Sequence, residues 1–488
     1  MDANLTFNSL WYFLFLPLVF LIFNYVPDRF RWLVLLVASY GFYATFKAPQ
    51  LLVVLALVTV ISYGCGIQLG RITNRSHRTL IVWMGAAACV LILAVMKGLP
   101  LILASGAGRD SSFGYLLISV GVSFYTLQAI SYLADNYLEI QEPERHLGYH
   151  ALYLSFFPKL LQGPIERAGD LLPQLKRKYE FSYNTVRAGM LLFAWGLFKK
   201  VVVADRLALF VNPIYDDVHS FAGIPLLAAT YFYAIQIYCD FSGYTDMALG
   251  TARLFNIGLT QNFYTPYFAT SVADFWRRWH ISFSRWLLDY VFKPLQLAFR
   301  GRKNWGTSFA LVVTFLVSGI WHGSTWGFVI WGLLHGLYLA ASVFYRPLQK
   351  RIHNILRLEG TAVAKLWQMI VTFHLVTFAW IFFRSNTLFD AYYVLSAIPK
   401  DLPKLLDFRY VQIQFRGLGL EQADLILCVV FVLIVFVMDI LEVRIGTIWS
   451  KLLDKPLWIR WTVYYALIVL IIFFAPYSTA KNFIYLQF

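Results

Sequence analysis

Long apolar runs limit what this chain can fold into more than any other feature of its sequence. The first four follow one another after short polar links and cover Leu10–Tyr25 and residues 32–46, 51–69 and 80–96. A helix that spans a bilayer needs about 20 predominantly apolar residues, with a lower limit of about 17. Only 14% of the residues are charged, against roughly 25% in soluble domains. These runs predict an all-α polytopic membrane protein.

Eight further apolar segments bring the predicted number of transmembrane helices to between ten and twelve. These segments are residues 114–134, 185–210, 224–238, 309–320, 328–344, 366–383, 426–440 and 463–475. No internal repeat, low-complexity tract or linker divides the sequence. Residues 1–488 are therefore predicted to form a single integral membrane domain.

Two features do not fit a simple series of spans. The partly apolar piece 149–161 is too short to cross a bilayer, which favours a re-entrant or a surface-lying segment. Lys199 and Lys200 lie inside an apolar run. Because a charged group in the bilayer is costly, these lysines need either snorkelling or a water-filled cavity.

Arginine and lysine residues in the links set the predicted orientation. None precedes the first run, so the sequence lacks the basic region of a cleaved signal peptide, whereas Arg29 and Arg31 follow that run. Since cytoplasmic loops carry the basic excess of membrane proteins, the N-terminus is predicted to face outward. The same rule places residues 135–183 and 253–303 in the cytoplasm. It places the link between the segments 185–210 and 224–238, and the loop 384–420, outside.

The net charge of +15 does not indicate nucleic-acid binding. Cytoplasmic loops of a multi-span protein supply such an excess, and no soluble basic domain is present to bind a phosphate backbone. The four cysteines occur singly in apolar stretches, without CxxC or Cys/His spacing. The sequence therefore indicates neither a zinc site nor a disulfide framework.

The stretch 273–295, ADFWRRWHISFSRWLLDYVFKPL, is amphipathic when it is placed on one helix. The apolar face would then hold Trp276, His280, Phe283 and Leu287. Ser271 and Asp274 have the spacing of a capping box at its start. An interfacial helix explains most of this pattern. His280 lies where such a helix favours leucine, which predicts a buried imidazole, either an ordinary core histidine or a functional one.

A second stretch, 318–336, SGIWHGSTWGFVIWGLLHG, combines an apolar character with two histidines and five glycines. His322 lies between Gly319 and Gly323, where the backbone is free to depart from a regular helix. His335 follows thirteen residues later, about 220° around a continuous helix, so the two rings would not share a face. Ionisable residues within a membrane are functional candidates, and a neutral imidazole can accept a proton.

Asp240 and Asp246 lie near the predicted inner end of another apolar run. They either form ion pairs with Arg253, Arg277 or Arg278, or orient a histidine as a carboxylate partner. The sequence has no paired carboxylates at glycosidase spacing, no glycine-rich phosphate loop and no G-x-S-x-G elbow. Any chemistry is therefore predicted to be histidine chemistry.

Several segments in order resemble the bacterial branch of the membrane-bound O-acyltransferase family. They are SYGFYATF at 39–46, FFPKLLQGPI at 156–165, residues 239–250, 274–295 and 318–336, and NFIYLQF at 482–488. Together they cover nearly the whole chain. The signature of that family is a histidine in a late span, preceded in an earlier segment by His, Asn or Asp. Here the matching residues are His322 and His280, which are forty-two positions apart.

The resemblance implies a rim of helices around a central tunnel, in the inner membrane of a bacterium. It implies acetyl-CoA as the donor substrate, with no bound cofactor and no metal. The acceptor would be a periplasmic acetyl-acceptor or transferase protein that serves an alginate-like extracellular polysaccharide. His322 is expected to act as the general base, near the outer face. His280, near the inner face, is expected to hold the thioester or to protonate the leaving thiolate.

Other residues are expected to contact substrate. Basic side chains at the cytoplasmic mouth attract phosphates, and indole N–H groups can stabilise an oxyanion. The predicted substrate-binding residues are Asp240, Asp246, Arg277, Arg278, Trp279 and Trp321.

Three alternatives stay open at this point. D-alanyl transfer to teichoic acid would use a thioester carrier protein in place of coenzyme A. A multi-span transporter would explain the hydropathy and the intramembrane histidines, and it predicts inverted repeats. A scaffold for a secretion complex would tolerate the loss of His322.

Overall fold

The computed structural model describes residues 5–46, 48–106, 121–323, 325–357, 360–416, 422–446, 448–476 and 483–484. Over these ranges the regular structure is helical, without strands. The helices are α1 Leu10–Tyr25, α2 Asp28–Ala44, α3 Pro49–Arg71, α4 Arg75–Gly106, α5 Val122–Tyr137, α6 Leu147–Ser155, α7 Ala168–Lys176, α8 Tyr183–Leu197, α9 Asp205–Asp216, α10 Ile224–Leu254, α11 Val272–Arg278, α12 Ile281–Leu287, α13 Lys293–Ala298, α14 Lys303–His322, α15 Trp326–Ile355, α16 Ala362–Arg384, α17 Leu388–Ala397, α18 Phe408–Arg416, α19 Gln422–Ile445, α20 Ile448–Leu452 and α21 Leu457–Phe474.

The predicted apolar runs coincide with helices wherever their residues are described. Seven helices within the described ranges are long and apolar enough to cross a membrane, and α1 is a shorter apolar helix. The seven lie in α3, α4, α14, α15, α16, α19 and α21. The chain is therefore an all-α, multi-pass membrane protein. The total of ten to twelve spans stays a prediction.

Segments that were predicted to lie on the cytoplasmic side contact one another. The side chain of Glu166, from the section 135–183, accepts hydrogen bonds from the backbone N–H and the hydroxyl of Thr260, at 2.6 and 3.0 Å. Thr260 belongs to the second such section, 253–303. These two sections therefore lie at the same end of the helices, as the charge pattern requires.

The predicted outer segments also contact one another. The Tyr393 hydroxyl, on α17, donates to the carbonyl of Phe221 in the connection between α9 and α10, at 3.0 Å. The Gly223 N–H of that connection donates to the carbonyl of Ala397, at 3.1 Å. The loop 384–420 is thus folded into helices over its described part and packs on another predicted outer segment.

The short piece 149–161 is buried within the protein. It comprises most of α6 and the turns that follow it, and His150 and Phe157 have no exposed surface. The Phe157 N–H donates to the hydroxyl of Ser39 on α2, at 3.0 Å. The surface-lying alternative is therefore wrong for this piece.

The two intramembrane lysines are paired with carboxylates. Lys199 lies 2.7 Å from Asp246, and Lys200 lies 2.7 Å from Asp240 and 2.8 Å from Asp205. Both lysines are on a π-helical turn, Phe198–Ala204, that separates α8 from α9. Buried charges persist in proteins when they are paired and hydrogen-bonded. Pairing within the protein, rather than snorkelling, accounts for these lysines.

Glycines allow α8 and α10 to approach closely enough for this pairing. A Cβ added at Gly196 would lie 2.5 Å from the carbonyl oxygen of Gly243, and one added at Gly250 would lie 2.5 Å from the carbonyl of Gly189. Small residues at helix interfaces let backbones come together in membrane proteins. The lysine and aspartate side chains then meet across this seam.

Candidate active site

The backbone breaks at His280, between α11 and α12. His280 has φ 44° and ψ 53°, in the left-handed region. A residue with a Cβ pays about 1–2 kcal/mol for this conformation. The predicted continuous helix through 273–295 is therefore wrong at this point. The Ser271 half of the predicted capping box is confirmed, because its hydroxyl accepts a hydrogen bond from the Asp274 N–H at 3.1 Å. The reciprocal half is wrong, since the Asp274 carboxylate accepts from the Thr270 N–H, also at 3.1 Å.

Tertiary hydrogen bonds hold the break in place. The Ile281 N–H donates to the carbonyl of Asn262 at 2.9 Å, and the Ser282 N–H donates to the Asn262 side-chain oxygen at 3.0 Å. The Ser282 hydroxyl in turn accepts from the Ile165 N–H at 2.9 Å. Contacts from two distant segments therefore offset the local strain, which is common where backbone strain is kept at functional sites.

The His280 imidazole is buried among aromatic rings, as its position on the apolar face predicted. It is 1% exposed, and its ring centroid lies 4.8 Å from that of Phe241 and 5.0 Å from that of Phe283. Neither ring nitrogen has a hydrogen-bond partner among the described residues. His280 lies outside the seven candidate spans. Burial lowers the pKa of its imidazole to about 3, so the ring is neutral near pH 7.

His322 is the last residue of α14. It is 3% exposed and packs edge-on against Trp321, Trp331 and Phe383, with ring centroids at 4.8, 4.9 and 5.4 Å. The chain leaves the helix at Gly323, which is extended. The predicted departure from helical structure is thus confirmed on the C-terminal side of His322.

Gly319 stays helical and serves another purpose. A Cβ added there would lie 2.4 Å from the carbonyl oxygen of Phe328 on α15, and one added at Gly332 would lie 2.3 Å from the carbonyl of Phe315 on α14. The glycines of this stretch therefore let α14 and α15 pack backbone to backbone. That packing encloses His322 against the rings of α15.

The structure brings His280 and His322 to the same aromatic pair. Phe283 lies 5.0 Å from the first ring and 5.8 Å from the second, and Trp321 lies 6.2 Å and 4.8 Å away. The Trp321 indole N–H is buried without a hydrogen-bond partner among the described residues. Two imidazoles and an available N–H donor thus border one buried region. The sequence predicted His280 near the inner face and His322 near the outer face. In the structure, both rings contact the same two aromatic side chains.

His335 also belongs to this cluster, because the chain breaks between His322 and His335 and the second histidine lies on a separate helix. It lies on α15 and not on a continuation of α14, so the expected angle of about 220° does not apply. Its ring is 5.1 Å from that of Trp331, which also contacts His322. The Trp276 N–H donates to Nδ1 of His335 at 3.2 Å. Since Nδ1 accepts a hydrogen bond, His335 is held as a structural partner of Trp276.

Asp240 and Asp246 form their direct ion pairs with lysines, whereas of the predicted arginines only Arg253 interacts with one of them, through its charge on Asp246. Arg277 and Arg278 lie instead 3.6 Å and 3.1 Å from Asp274. Asp240 also accepts a hydrogen bond from the Ile484 N–H at 2.8 Å. These contacts occupy both aspartates with structural partners. A substrate-binding role for them stays a prediction.

Trp279 and Trp321, the two predicted oxyanion donors, have different surroundings. Trp279 is 1% exposed and stacks on Phe275, with its ring also 5.2 Å from that of Trp380. No ring contact described for Trp279 involves His280 or His322, whereas Trp321 contacts both. The geometry favours Trp321 as the donor.

Lys97 is a site residue that sequence reasoning missed. Its ammonium donates to the carbonyl of Trp321, and it lies 5.5 Å from the centre of the Trp321 ring. Lys97 follows an apolar run directly, and a lysine there usually marks a membrane boundary. Only its tertiary contact distinguishes it from such a marker.

Lys159 is a buried lysine that sequence reasoning also missed, although none of its described contacts is with the histidine cluster. It is fully buried and donates to the side-chain oxygen of Gln128, with its ammonium 5.2 Å from the ring centre of Tyr153. In the sequence it is one of many basic residues of a predicted cytoplasmic section. Its place within the motif FFPKLLQGPI is the one signal in the sequence that could have distinguished it.

No group of three or more His, Cys, Asp or Glu side chains in the described part of the chain is placed to hold a metal ion. What the site offers is imidazole, an indole N–H and a nearby ammonium in an aromatic enclosure. Such a set can move a proton and stabilise developing negative charge. It fits a membrane-embedded enzyme that catalyses group transfer by acid–base chemistry.

Comparison with known proteins gives the family. Residues 145–384 match the model of the membrane-bound O-acyltransferase family, MBOAT. The peptidoglycan O-acetyltransferase of Helicobacter pylori is 33% identical over 438 residues, which cover 81% of this chain and 80% of that protein. "Probable alginate O-acetylase AlgI" of Azotobacter vinelandii is 34% identical over 412 residues, covering 80% and 77%. The teichoic acid D-alanyltransferase of Streptococcus thermophilus is 27% identical over 307 residues, covering 59% and 73%.

The chain therefore belongs to the membrane-bound O-acyltransferase family, and its activity is that of an O-acyltransferase. This agrees with the resemblance of the motifs around His280 and His322.

Proposed function

We propose that this O-acyltransferase moves an acetyl group from a cytoplasmic thioester, acetyl-CoA, to an acceptor hydroxyl on the periplasmic side of a bacterial inner membrane. The observation that carries the proposal is the shared cluster of His280, His322 and Trp321. Two segments far apart in sequence supply the two imidazoles, and the buried indole N–H between them has no partner among the described residues. The names of the O-acetylating relatives support acetyl as the transferred group.

In the proposed reaction His322 acts as the general base. It takes the proton of the acceptor hydroxyl as that oxygen attacks the thioester carbonyl. The Trp321 N–H stabilises the oxyanion of the tetrahedral intermediate. The carbon–sulfur bond then breaks, and the proton that His322 took from the hydroxyl passes through His280 to the leaving thiolate, so that both imidazoles end neutral. The products are an O-acetyl ester and a free thiol, so no external proton is consumed.

Exposed basic residues support a nucleotide-bearing thioester as the donor. The side chain of Arg277 is 70% exposed and belongs to a section predicted to be cytoplasmic. The exposed residues of the same section include Arg300 and Arg302. Clustered positive charge raises the local concentration of phosphate-bearing substrates. This charge is proposed to collect coenzyme A at the mouth of a tunnel toward His322.

The loop 384–420 is proposed to receive the acceptor. Its described part exposes large apolar side chains, with Phe389 68%, Tyr392 70% and Leu406 90% exposed. Exposed aromatic and apolar residues in a folded loop are typical of protein-docking surfaces. The proposed partner is a periplasmic protein whose serine takes the acetyl group and passes it to an alginate-like extracellular polysaccharide.

The donor is tested with membrane vesicles whose cytoplasmic face is outward. Vesicles that contain the chain receive either radiolabelled acetyl-CoA or a carrier protein charged with labelled D-alanine. The proposal predicts label transfer from acetyl-CoA only, and vesicles without the chain are the control. Transfer from the charged carrier, with none from acetyl-CoA, would replace the proposal by D-alanyl transfer. Passage of unmodified substrate into the lumen, without a covalent product, would indicate a transporter.

A further inference from the structure

A cavity of about 330 Å³ lies between α8 and α21, away from the histidine cluster. It is lined by the first two turns of both helices, with Arg187 on α8 and Arg460 on α21. Because both helices begin at this cavity, their starts lie at the same level of the membrane. α8 follows the section 135–183, which the charge pattern places in the cytoplasm.

Three hydrogen-bond donors of this cavity lack acceptors. The Nε–H groups of Arg187 and Arg460 and the hydroxyl of Tyr464 are buried without a partner among the described residues. The guanidinium groups have few other contacts: Arg187 reaches the Asn184 side chain at 3.4 Å and lies 5.2 Å from the centre of the Tyr183 ring, and Arg460 reaches the Leu453 carbonyl at 3.3 Å. No aspartate or glutamate lines the cavity. Two cations and a hydroxyl therefore converge where the protein supplies no anion.

The rest of the lining is apolar or aromatic, and it faces the surroundings of the protein. Met190 is 60% and Trp461 is 48% exposed, and Val186 lies between the helices. α21 is the least buried of the seven candidate spans. Tryptophan and tyrosine at the end of a span are typical of the headgroup level of a bilayer. The cavity thus joins a cationic end to an apolar groove at the membrane interface.

We infer that this cavity binds an anionic phospholipid of the cytoplasmic leaflet. The phosphate would lie between Arg187 and Arg460 and accept a hydrogen bond from Tyr464, and an acyl chain would follow Val186 and Met190. Basic pockets between transmembrane helices on the cytoplasmic side recognise anionic headgroups in this way. Guanidinium groups suit phosphate because their donors are arranged in a planar fork.

A second basic cavity, also on the predicted cytoplasmic side, differs from the proposed site because acidic residues of the protein pair with its cations. That cavity, of about 320 Å³, is lined by Arg29, Arg31, Lys176, Arg177 and Lys178, but Asp28 also lines it and pairs with Arg31, and Glu144 pairs with Lys176. Its charge is partly neutralised by the protein. The cavity at Arg187 and Arg460 has no such internal anion, so an external one is needed.

The bound lipid would fix α21 in place. At its other end, the carbonyl of Phe474 accepts a hydrogen bond from Arg206 at 2.6 Å. A lipid at the start of α21 would supply the second attachment for a helix that buries little surface within the protein. Because α21 also packs against the π-helical turn of Lys199 and Lys200, the lipid would steady the neighbourhood of that turn.

The test is native mass spectrometry of the purified full-length chain with added lipid. Phosphatidylglycerol is compared with phosphatidylcholine of the same acyl chains. The inference predicts preferential retention of phosphatidylglycerol by the wild type. Each of Arg187→Gln and Arg460→Gln should weaken that binding about fivefold, and the double variant about 25-fold. Arg29→Gln, an exposed arginine of the second basic cavity, should leave it unchanged.

Two further arms separate the possible outcomes. The variant with Arg187→Lys and Arg460→Lys keeps both charges and should retain most of the preference, which covers the case in which the glutamine variant does not fold. Inorganic phosphate and free coenzyme A should not displace the lipid. Equal retention of the two lipids by the wild type would overturn the inference, as would undiminished binding by a folded double variant or displacement by soluble phosphate.

Discussion

At the scale of single residues, the sequence predicted both histidines as site candidates but did not predict the backbone conformation of His280. His280 interrupts a stretch whose periodicity favours one helix, and local propensity gives no sign of the break. The left-handed conformation is imposed by Asn262 and Ser282 through tertiary hydrogen bonds. Lys97 was missed for a related reason, because only its contact with Trp321 separates it from an ordinary boundary lysine.

Substitution at His280 should separate the role of its side chain from that of its backbone. Asparagine tolerates the left-handed region better than alanine does and keeps a polar side chain. His280→Asn should therefore retain near wild-type stability and more acetyl transfer than His280→Ala. Thermal unfolding in detergent and initial rates of transfer measure the two effects. Equal rates for the two variants would show that a polar side chain at this position is not needed.

Replacement of Trp321 by phenylalanine should remove the oxyanion donor and keep most of the ring packing. The loss of one such donor costs on the order of 10²–10³ in kcat, so the prediction for Trp321→Phe is a fall in kcat of about 10²-fold with little change in KM. Trp279→Phe is the matched control, because its ring packs against Phe275 and Trp380. A normal kcat for Trp321→Phe would remove the indole from the mechanism.

At the scale of elements, hydropathy located the helices but did not show how closely they pack. The seam between α8 and α10 depends on glycines whose importance appears only when the facing backbone is known. The same holds for α14 and α15, whose glycines were interpreted as points of backbone freedom. Lys199 and Lys200 seemed costly because their partners are about 40 residues away in the chain, at Asp240 and Asp246.

The α8–α10 seam predicts a specific loss of stability. In Gly196→Ala the new Cβ would meet the carbonyl of Gly243 at 2.5 Å, so the helices must separate. Overpacking of this kind costs about 1–3 kcal/mol, and thermal unfolding in detergent should show a lower Tm. Gly64→Ala, on α3, has nothing within 4 Å and should leave Tm unchanged or slightly higher. Similar Tm values for both variants would mean that the seam adapts without cost.

At the scale of the whole molecule, the charge pattern along the sequence predicted which segments lie together. Contacts join the predicted cytoplasmic sections to each other and the predicted outer segments to each other. The span count and the tunnel stay predictions, because the helices outside the seven candidate spans are short, buried or broken by π-helical turns. The NFIYLQF motif lies outside the described residues except for Phe483 and Ile484.

The outer loop should affect the acceptor and not the donor. Polar substitution of its exposed residues, as in Phe389→Ser with Leu406→Ser, should lower transfer to the periplasmic acceptor while acetyl-CoA binding is kept. The reason is that both side chains are exposed and lie in the predicted outer segment. Parallel assays of donor binding and of acceptor acetylation make the distinction. A matching loss of donor binding would assign the loop a structural role.

The central claim is that His322 is the base for acetyl transfer across the membrane. The most direct measurement is the O-acetyl content of surface polymers from cells that carry the wild type, His322→Ala or His374→Ala. His374 is an exposed histidine on α16 and serves as the control. The account predicts that His322→Ala lowers O-acetylation about 10²-fold or more, at an unchanged amount of membrane-inserted protein, while His374→Ala has no effect. Normal O-acetylation in the His322→Ala cells would contradict it.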